Sequence, residues 1–142
     1  MSTEVHDASV PLAGVRRGAN ATFGILAIIT VALAAIQIGL AGLGAFGGSF
    51  TAHMTLGYVI ALLSILMLVT ALIARPSRGI VIRAIVLFIL AVPLQPVLAS
   101  FGESGNVWVG ALHALNGVAI TALAGTLAGE SRLRHRGRAT AA

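Results

Sequence analysis

Residues 18–74 read GANATFGILAIITVALAAIQIGLAGLGAFGGSFTAHMTLGYVIALLSILMLVTALIA, and between Arg17 and Arg75 the chain carries no Asp, Glu, Lys or Arg. A bilayer core about 30 Å thick takes roughly 20 helical residues per crossing. The stretch therefore holds two spans, divided at Gly47-Gly48-Ser49. Two more follow between Ile80 and Ala128, so the expected spans are about 21–45, 51–74, 80–100 and 107–128. The first apolar run is too long for a signal-peptide core of about 7 to 15 residues and is expected to be retained.

Composition points the same way. Of 142 residues, 58% are hydrophobic and 9% charged, with a mean hydropathy of +1.00, whereas a soluble domain is about a quarter charged. Residues 1–20 are expected to form a disordered tail, 21–128 the membrane domain, and 129–142 a basic tail. There is no space for a separate catalytic domain. The absence of cysteine excludes thiolate ligands, iron–sulfur clusters and covalent haem attachment.

The nine basic residues are all arginines, and all fall on the side of the spans shared by both termini. The positive-inside rule then places both termini in the cytoplasm and the loops at Gly47-Gly48-Ser49 and Glu103-Ser104-Gly105-Asn106 outside the cytoplasmic (inner) membrane, with Trp108 in the outer aromatic belt. Arg83 lies one turn inside its span, where it can snorkel. Short connections make successive helices antiparallel neighbours. The fold class expected is all-α: an integral membrane up-down-up-down four-helix bundle. The arginines flank spans, so they read as a topology signal and as contacts to anionic lipid, with no nucleic-acid partner.

Two histidines lie within the spans. Each opens the pattern H-x-x-x-G, in His53-Met54-Thr55-Leu56-Gly57 and His113-Ala114-Leu115-Asn116-Gly117. The glycine shares the histidine's helix face. Counted from Arg75 and Arg132, their depths differ by three residues, roughly 4.5 Å of helix rise. Gln37 and Gln95 sit on the preceding helices, so the chain reads as two helix-hairpin pseudo-repeats. His6 and His135 lie in polar tails and are read as solvated.

An imidazole facing hydrocarbon is costly, so both histidines are expected to face the interior and share a ligand. A bare zinc site wants three or four protein ligands. Haem brings four nitrogens of its own and needs only two axial ligands, which His53 and His113 supply. Gly57 and Gly117 are expected to clear space for the macrocycle, with Ala61, Thr121 and Gly125 continuing the small-residue stripe. Gln37 and Gln95 are candidates to hydrogen-bond a histidine Nδ1 or a quinone carbonyl, or to join helices. Pro93 and Pro96 interrupt the third helix beside Gln95.

His53 with Gly57 and Tyr58, and Leu112-His113-Ala114-Leu115-Asn116-Gly117, resemble a group of small uncharacterised four-helix membrane proteins of high-GC, actinobacterial type. More distantly the pattern is similar to b-type membrane cytochromes and to one half of haem A synthase. That resemblance implies axial histidines on the second and fourth helices near the outer face, where His53 and His113 stand. Cytochromes of this kind with two haems need four histidines, so here one non-covalent haem b is implied. Ser49, Thr51, Asn106 and Trp108 are then the candidates to meet its propionates. The expected function is electron transfer or haem sensing at the outer leaflet, with a quinone or a redox protein as partner. The alternatives are a non-redox scaffold or accessory subunit, including a homo-oligomer, in which the histidines only pack helices, and a small-solute carrier.

Overall fold

The computed structural model of the chain describes residues 9–139, and all regular structure in it is helical. Helix α1 spans Ser9–Ala45 and α2 Thr51–Ala74. Helix α3 spans Arg78–Ile89 and runs through a π-helical turn, Leu90–Leu94, into α4, Gln95–Glu103. Helix α5 spans Val107–Ala139. Taking α3, the π turn and α4 as one segment, four helices are long and apolar enough to cross a membrane: Leu12–Ala45, Thr51–Ala74, Arg78–Glu103 and Val107–Arg134.

The ends of the elements follow from local chemistry. After α1 the chain turns at Gly47, with φ of 96°, and Gly48 N–H donates to Leu43 O at 2.9 Å. After α4 it turns at Gly105, with φ of 95°, and Asn106 N–H donates to Phe101 O. Both are Schellman closures, in which a left-handed glycine lets the next N–H reach back five residues. Asn106 Oδ1 then accepts from Val109 N–H at the start of α5, and Ser77 does the same for Ile80 N–H at the start of α3. These side-chain oxygens satisfy helix-terminal donors that lack a partner within the helix.

Packing repeats one register in both halves of the chain. On α1 the buried positions are Phe23, Ala27, Thr30 and Ala34, and on the third segment Ile80, Ala84, Leu87 and Ala91. On α2 they are Ile60, Ser64, Met67 and Ala71, matched on α5 by Ile120, Ala124, Leu127 and Ser131. Each set is spaced by four, three and four residues, the spacing that lets helices pack along a narrow seam. Alanine, serine and threonine at many of these positions allow close approach. Thr30 and Ser64 return their hydroxyls to Leu26 O and Ile60 O, so burial leaves neither unsatisfied.

Helix α1 packs on α2 and α5, and the third segment also packs on α2 and α5. Among the described residues, α2 and α5 make no close backbone approach to each other, so they stand diagonally. The outward faces carry exposed Ile25, Ile36, Leu62, Val69, Ile82 and Val118. An apolar surface of that extent is what lipid contact requires.

Two boundaries differ from expectation. Residues 9–20, expected within a tail, belong to α1, and Asn20 is buried where α1 meets the ends of α2 and α5. Residues 129–139 continue α5, held by buried Ser131 and by an ion pair between Glu130 and Arg83. The third segment is not one regular helix. Pro93 has no N–H to give to Ile89 O, and the ladder widens to a π turn in which Gln95 N–H reaches Leu90 O. His6 and the side chain of His135 lie outside the described residues.

Candidate functional site

The buried seams lead to the polar cluster. Three residues beyond Ala34 on α1 the seam reaches Gln37. Three residues beyond Ala91 it would reach Leu94, but the extra residue of the π turn passes that position to Gln95. The π turn thus rotates a glutamine into the place Gln37 holds on an unbroken helix. His53 lies seven residues before Ile60, and His113 lies seven before Ile120, so both histidines occupy seam positions of α2 and α5. All four side chains are half-buried.

Each glutamine grips the histidine of its own hairpin. Gln37 Nε2 donates to His53 O at 2.7 Å, and His53 Nδ1 lies 3.3 Å from Gln37 O. Gln95 Nε2 donates to His113 O at 3.3 Å, and His113 Nδ1 lies 3.2 Å from Gln95 O. A carbonyl can only accept, so Nδ1 is the protonated nitrogen in both neutral rings, leaving a lone pair on each Nε2. His113 Nε2 lies 3.3 Å from Gln95 Nε2 and accepts from it. Among the described residues His53 Nε2 has no hydrogen bond. Phe50 meets the His53 ring edge-on, with ring centres 6.0 Å apart.

The two imidazoles then meet across the diagonal. Their ring centres are 6.2 Å apart and their planes 61° from parallel. No cluster of three or more His, Cys, Asp or Glu exists among the described residues.

Sequence reasoning missed the part played by Asn116. Its Nδ2 donates to Gln95 Oε1 at 2.5 Å and to Leu90 O at 2.9 Å, inside the π turn. The signal was available, for Asn116 is a polar residue within a span, four positions before buried Ile120. Its counterpart in the first half is Leu56. Correspondingly, Gln37 Oε1 is buried with no hydrogen-bond partner. The two halves share a register, and this donor is one of the differences between them.

The remaining residues singled out make the following contacts. The space above Gly57 and Gly117 is taken by amides: a Cβ on Gly57 would lie 3.3 Å from Gln37 Nε2, and one on Gly117 3.7 Å from Gln95 Nε2. The glycines make room for glutamines in this structure. The partner of each histidine Nδ1 is a glutamine main-chain carbonyl, not the side-chain amide. Ser49 accepts from Thr51 N–H and contacts its hydroxyl, while Asn106 caps α5, so these polar groups serve the helix starts. Trp108 is 81% exposed. At the other end of the helices Arg83 pairs with Glu130, the second of its two contacts being 2.8 Å from Nη2 to Oε2.

No curated protein and no solved structure matches the chain. Over residues 37–104 it is similar to a family of unknown function, DUF6220, a match that takes in Gln37, His53, Gly57 and Gln95 and ends before His113 and Gly117.

Proposed function

We propose that the protein is a multi-pass component of the cytoplasmic membrane, an up-down-up-down four-helix bundle of two hairpin pseudo-repeats with both termini inside, and that it binds one haem b through His53 and His113. The observation that carries this reading is the 6.2 Å between the two ring centres. His53 and His113, each with Nδ1–H held by a carbonyl and a lone pair left on Nε2, are the residues that would hold the iron.

The residues around the pair support it. With Nδ1–H engaged by a main-chain carbonyl, the ring orientation is held and Nε2 would be the ligating atom, an arrangement that raises the basicity of a metal-bound histidine. Gln95 Nε2 also donates to His113 O, so its amide would still have a partner were His113 Nε2 to hold the iron. Haem held by two histidines supplies reversible one-electron chemistry. The chain's own part is to hold both rings at one depth, to bury the pair between α1 and the third segment, and to stay inserted in lipid. A quinone or a redox protein at the outer face would be the partner.

The test is an absorbance spectrum of purified protein expressed with haem supplied, oxidised and then reduced with dithionite. A sharp reduced α-band at near-stoichiometric haem, abolished in both His53→Ala and His113→Ala while the helices stay inserted, is the expected result. Colourless parent protein, or unchanged haem in both variants, overturns it.

One further observation favours a second reading. The reciprocal glutamine–histidine bonds fill the glycine clearances without any ligand, as they would in a non-redox scaffold whose polar layer joins the helices. That reading predicts colourless protein whose thermal midpoint drops in both alanine variants.

A further inference from the structure

At the end of the helices opposite the histidines lies a cavity of about 240 Å³. Arg16, Arg17 and Asn20 line it from α1, Arg75 and Pro76 from the turn after α2, and Arg134 from α5. Three separate elements thus bring four guanidinium-bearing residues to one concavity. No carboxylate lines it among the described residues.

Exposed Arg16, Arg17 and Arg75 bring like charges to one concavity; like charges repel, and the repulsion grows as the surroundings become less polar. An anion placed among them removes that cost. Guanidinium forks match the oxygens of a phosphate in bidentate geometry, and the buried Asn20, 7% exposed, adds an amide at the wall. The volume equals the liquid share of about eight waters at roughly 30 Å³ each, which is ample for a phosphate with its substituents. Basic pockets between membrane helices on the cytoplasmic side bind lipid headgroups of this chemistry.

Arg75 adds an independent mark. It is the only non-glycine residue with positive φ among those described, at φ 45° and ψ 56°. The left-handed conformation costs an ordinary residue about 1–2 kcal/mol, and glycine is the usual occupant of a helix C-terminus of this kind. An arginine kept there lines the cavity.

We propose that this cavity is a binding site for a phosphate-bearing anion, the chemistry shared by the headgroup of an anionic phospholipid and by soluble phosphate. The site stands apart from the histidine pair and does not depend on haem. The experiment places the full chain in nanodiscs of phosphatidylcholine containing a minor fraction of phosphatidylglycerol or cardiolipin, and counts retained lipids by native mass spectrometry. The parent, Arg17→Gln, Arg75→Gly and the exposed, non-lining control Arg132→Gln are compared. Arg75→Gly suits the positive φ, so loss of the charge is separated from loss of the fold.

Preferential retention of anionic lipid by the parent is expected, falling roughly fivefold for each lining arginine removed and unchanged in Arg132→Gln. In a second arm, with phosphatidylcholine alone, inorganic phosphate is titrated and the thermal midpoint followed. A rise in the parent that is lost in both lining variants, without anionic-lipid preference, assigns the same site to a soluble source. Equal behaviour of the parent and both lining variants in both arms, or equal loss in Arg132→Gln, overturns the proposal.

Discussion

Gln37 and His53 hold each other across the two helices of one hairpin: the glutamine amide donates to the histidine's main-chain oxygen at 2.7 Å, and the histidine ring reaches the glutamine's main-chain oxygen at 3.3 Å. Only the first of these bonds uses the glutamine side chain. Replacing Gln37 with leucine therefore removes one hydrogen bond and also removes the buried, unpartnered Oε1. Gln95 is placed differently, because its side chain serves His113 O, His113 Nε2 and Asn116 Nδ2 together. Interhelical hydrogen bonds in membranes average about 0.6 kcal/mol and reach about 1.7. Gln37→Leu is expected to cost less than about 1 kcal/mol and Gln95→Leu about 2 kcal/mol, measured by unfolding in mixed detergent. Equal losses would show that the two halves are energetically alike despite Asn116.

The glycine clearances give a finer prediction. A methyl group on Gly117 would meet Gln95 Nε2 at ordinary contact distance, 3.7 Å, whereas on Gly57 it would stand 3.3 Å from Gln37 Nε2. Alanine gains about 0.8–1.0 kcal/mol of helix propensity over glycine. Gly117→Ala is accordingly expected to stabilise the protein by close to that amount. In Gly57→Ala part of the gain is lost as the amide shifts, and its bond to His53 O lengthens. Thermal midpoints of the two variants, read side by side, check the order. If both variants retain the parent's stability but lose haem, the clearances serve the macrocycle as well.

How far the sequence led is visible at particular residues. The charge-free run to Ala74 and the spacing of His53, Gly57, His113 and Gly117 were enough to place four apolar helices and the polar layer, since lipid forces backbone satisfaction within each span. The helical state of residues 9–20 was not legible, because Arg16, Arg17 and Asn20 are polar and their order comes from packing on α2 and α5. Nor was the π turn. Pro93 and Pro96 announce a broken ladder, yet which residue the break delivers to the interior depends on one inserted position, and only the geometry shows that it is Gln95 instead of Leu94. The diagonal meeting of the imidazoles likewise depends on which helices are neighbours, a property of the assembled fold. The sharing of one ligand by the two histidines is a proposal that the spectrum described above addresses.

The ion pair between Arg83 and Glu130 joins the third segment to α5 near the arginine-rich end. The two side chains are 33% and 37% exposed, and pairs open to water are worth about 0.2–1 kcal/mol. Glu130→Gln is expected to lower stability by no more than that in detergent solution, with the difference shrinking as salt is raised. A loss of about 3 kcal/mol or more, insensitive to salt, would mean instead that lipid or detergent seals the pair from water, since breaking a buried pair leaves an uncompensated charge. Chemical denaturation of parent and variant at low and high salt distinguishes the two environments.

Arg75 is held at φ 45° by the closing bond of α2, in which its own N–H donates to Ala71 O at 2.9 Å. That bond is made by the backbone and survives any substitution except proline. The left-handed conformation disfavours a residue with a Cβ by about 1–2 kcal/mol, and glycine escapes the penalty while losing more freedom on folding. Arg75→Gly is therefore expected to raise stability by up to about 1 kcal/mol in neutral detergent, and Arg75→Ala to change it little. Anionic lipid separates the two contributions of the arginine. With phosphatidylglycerol added, the parent is expected to gain in thermal midpoint more than either variant, so that the advantage of Arg75→Gly narrows or reverses. A constant advantage across lipid compositions would mean that the strain at Arg75 is not offset by any anion.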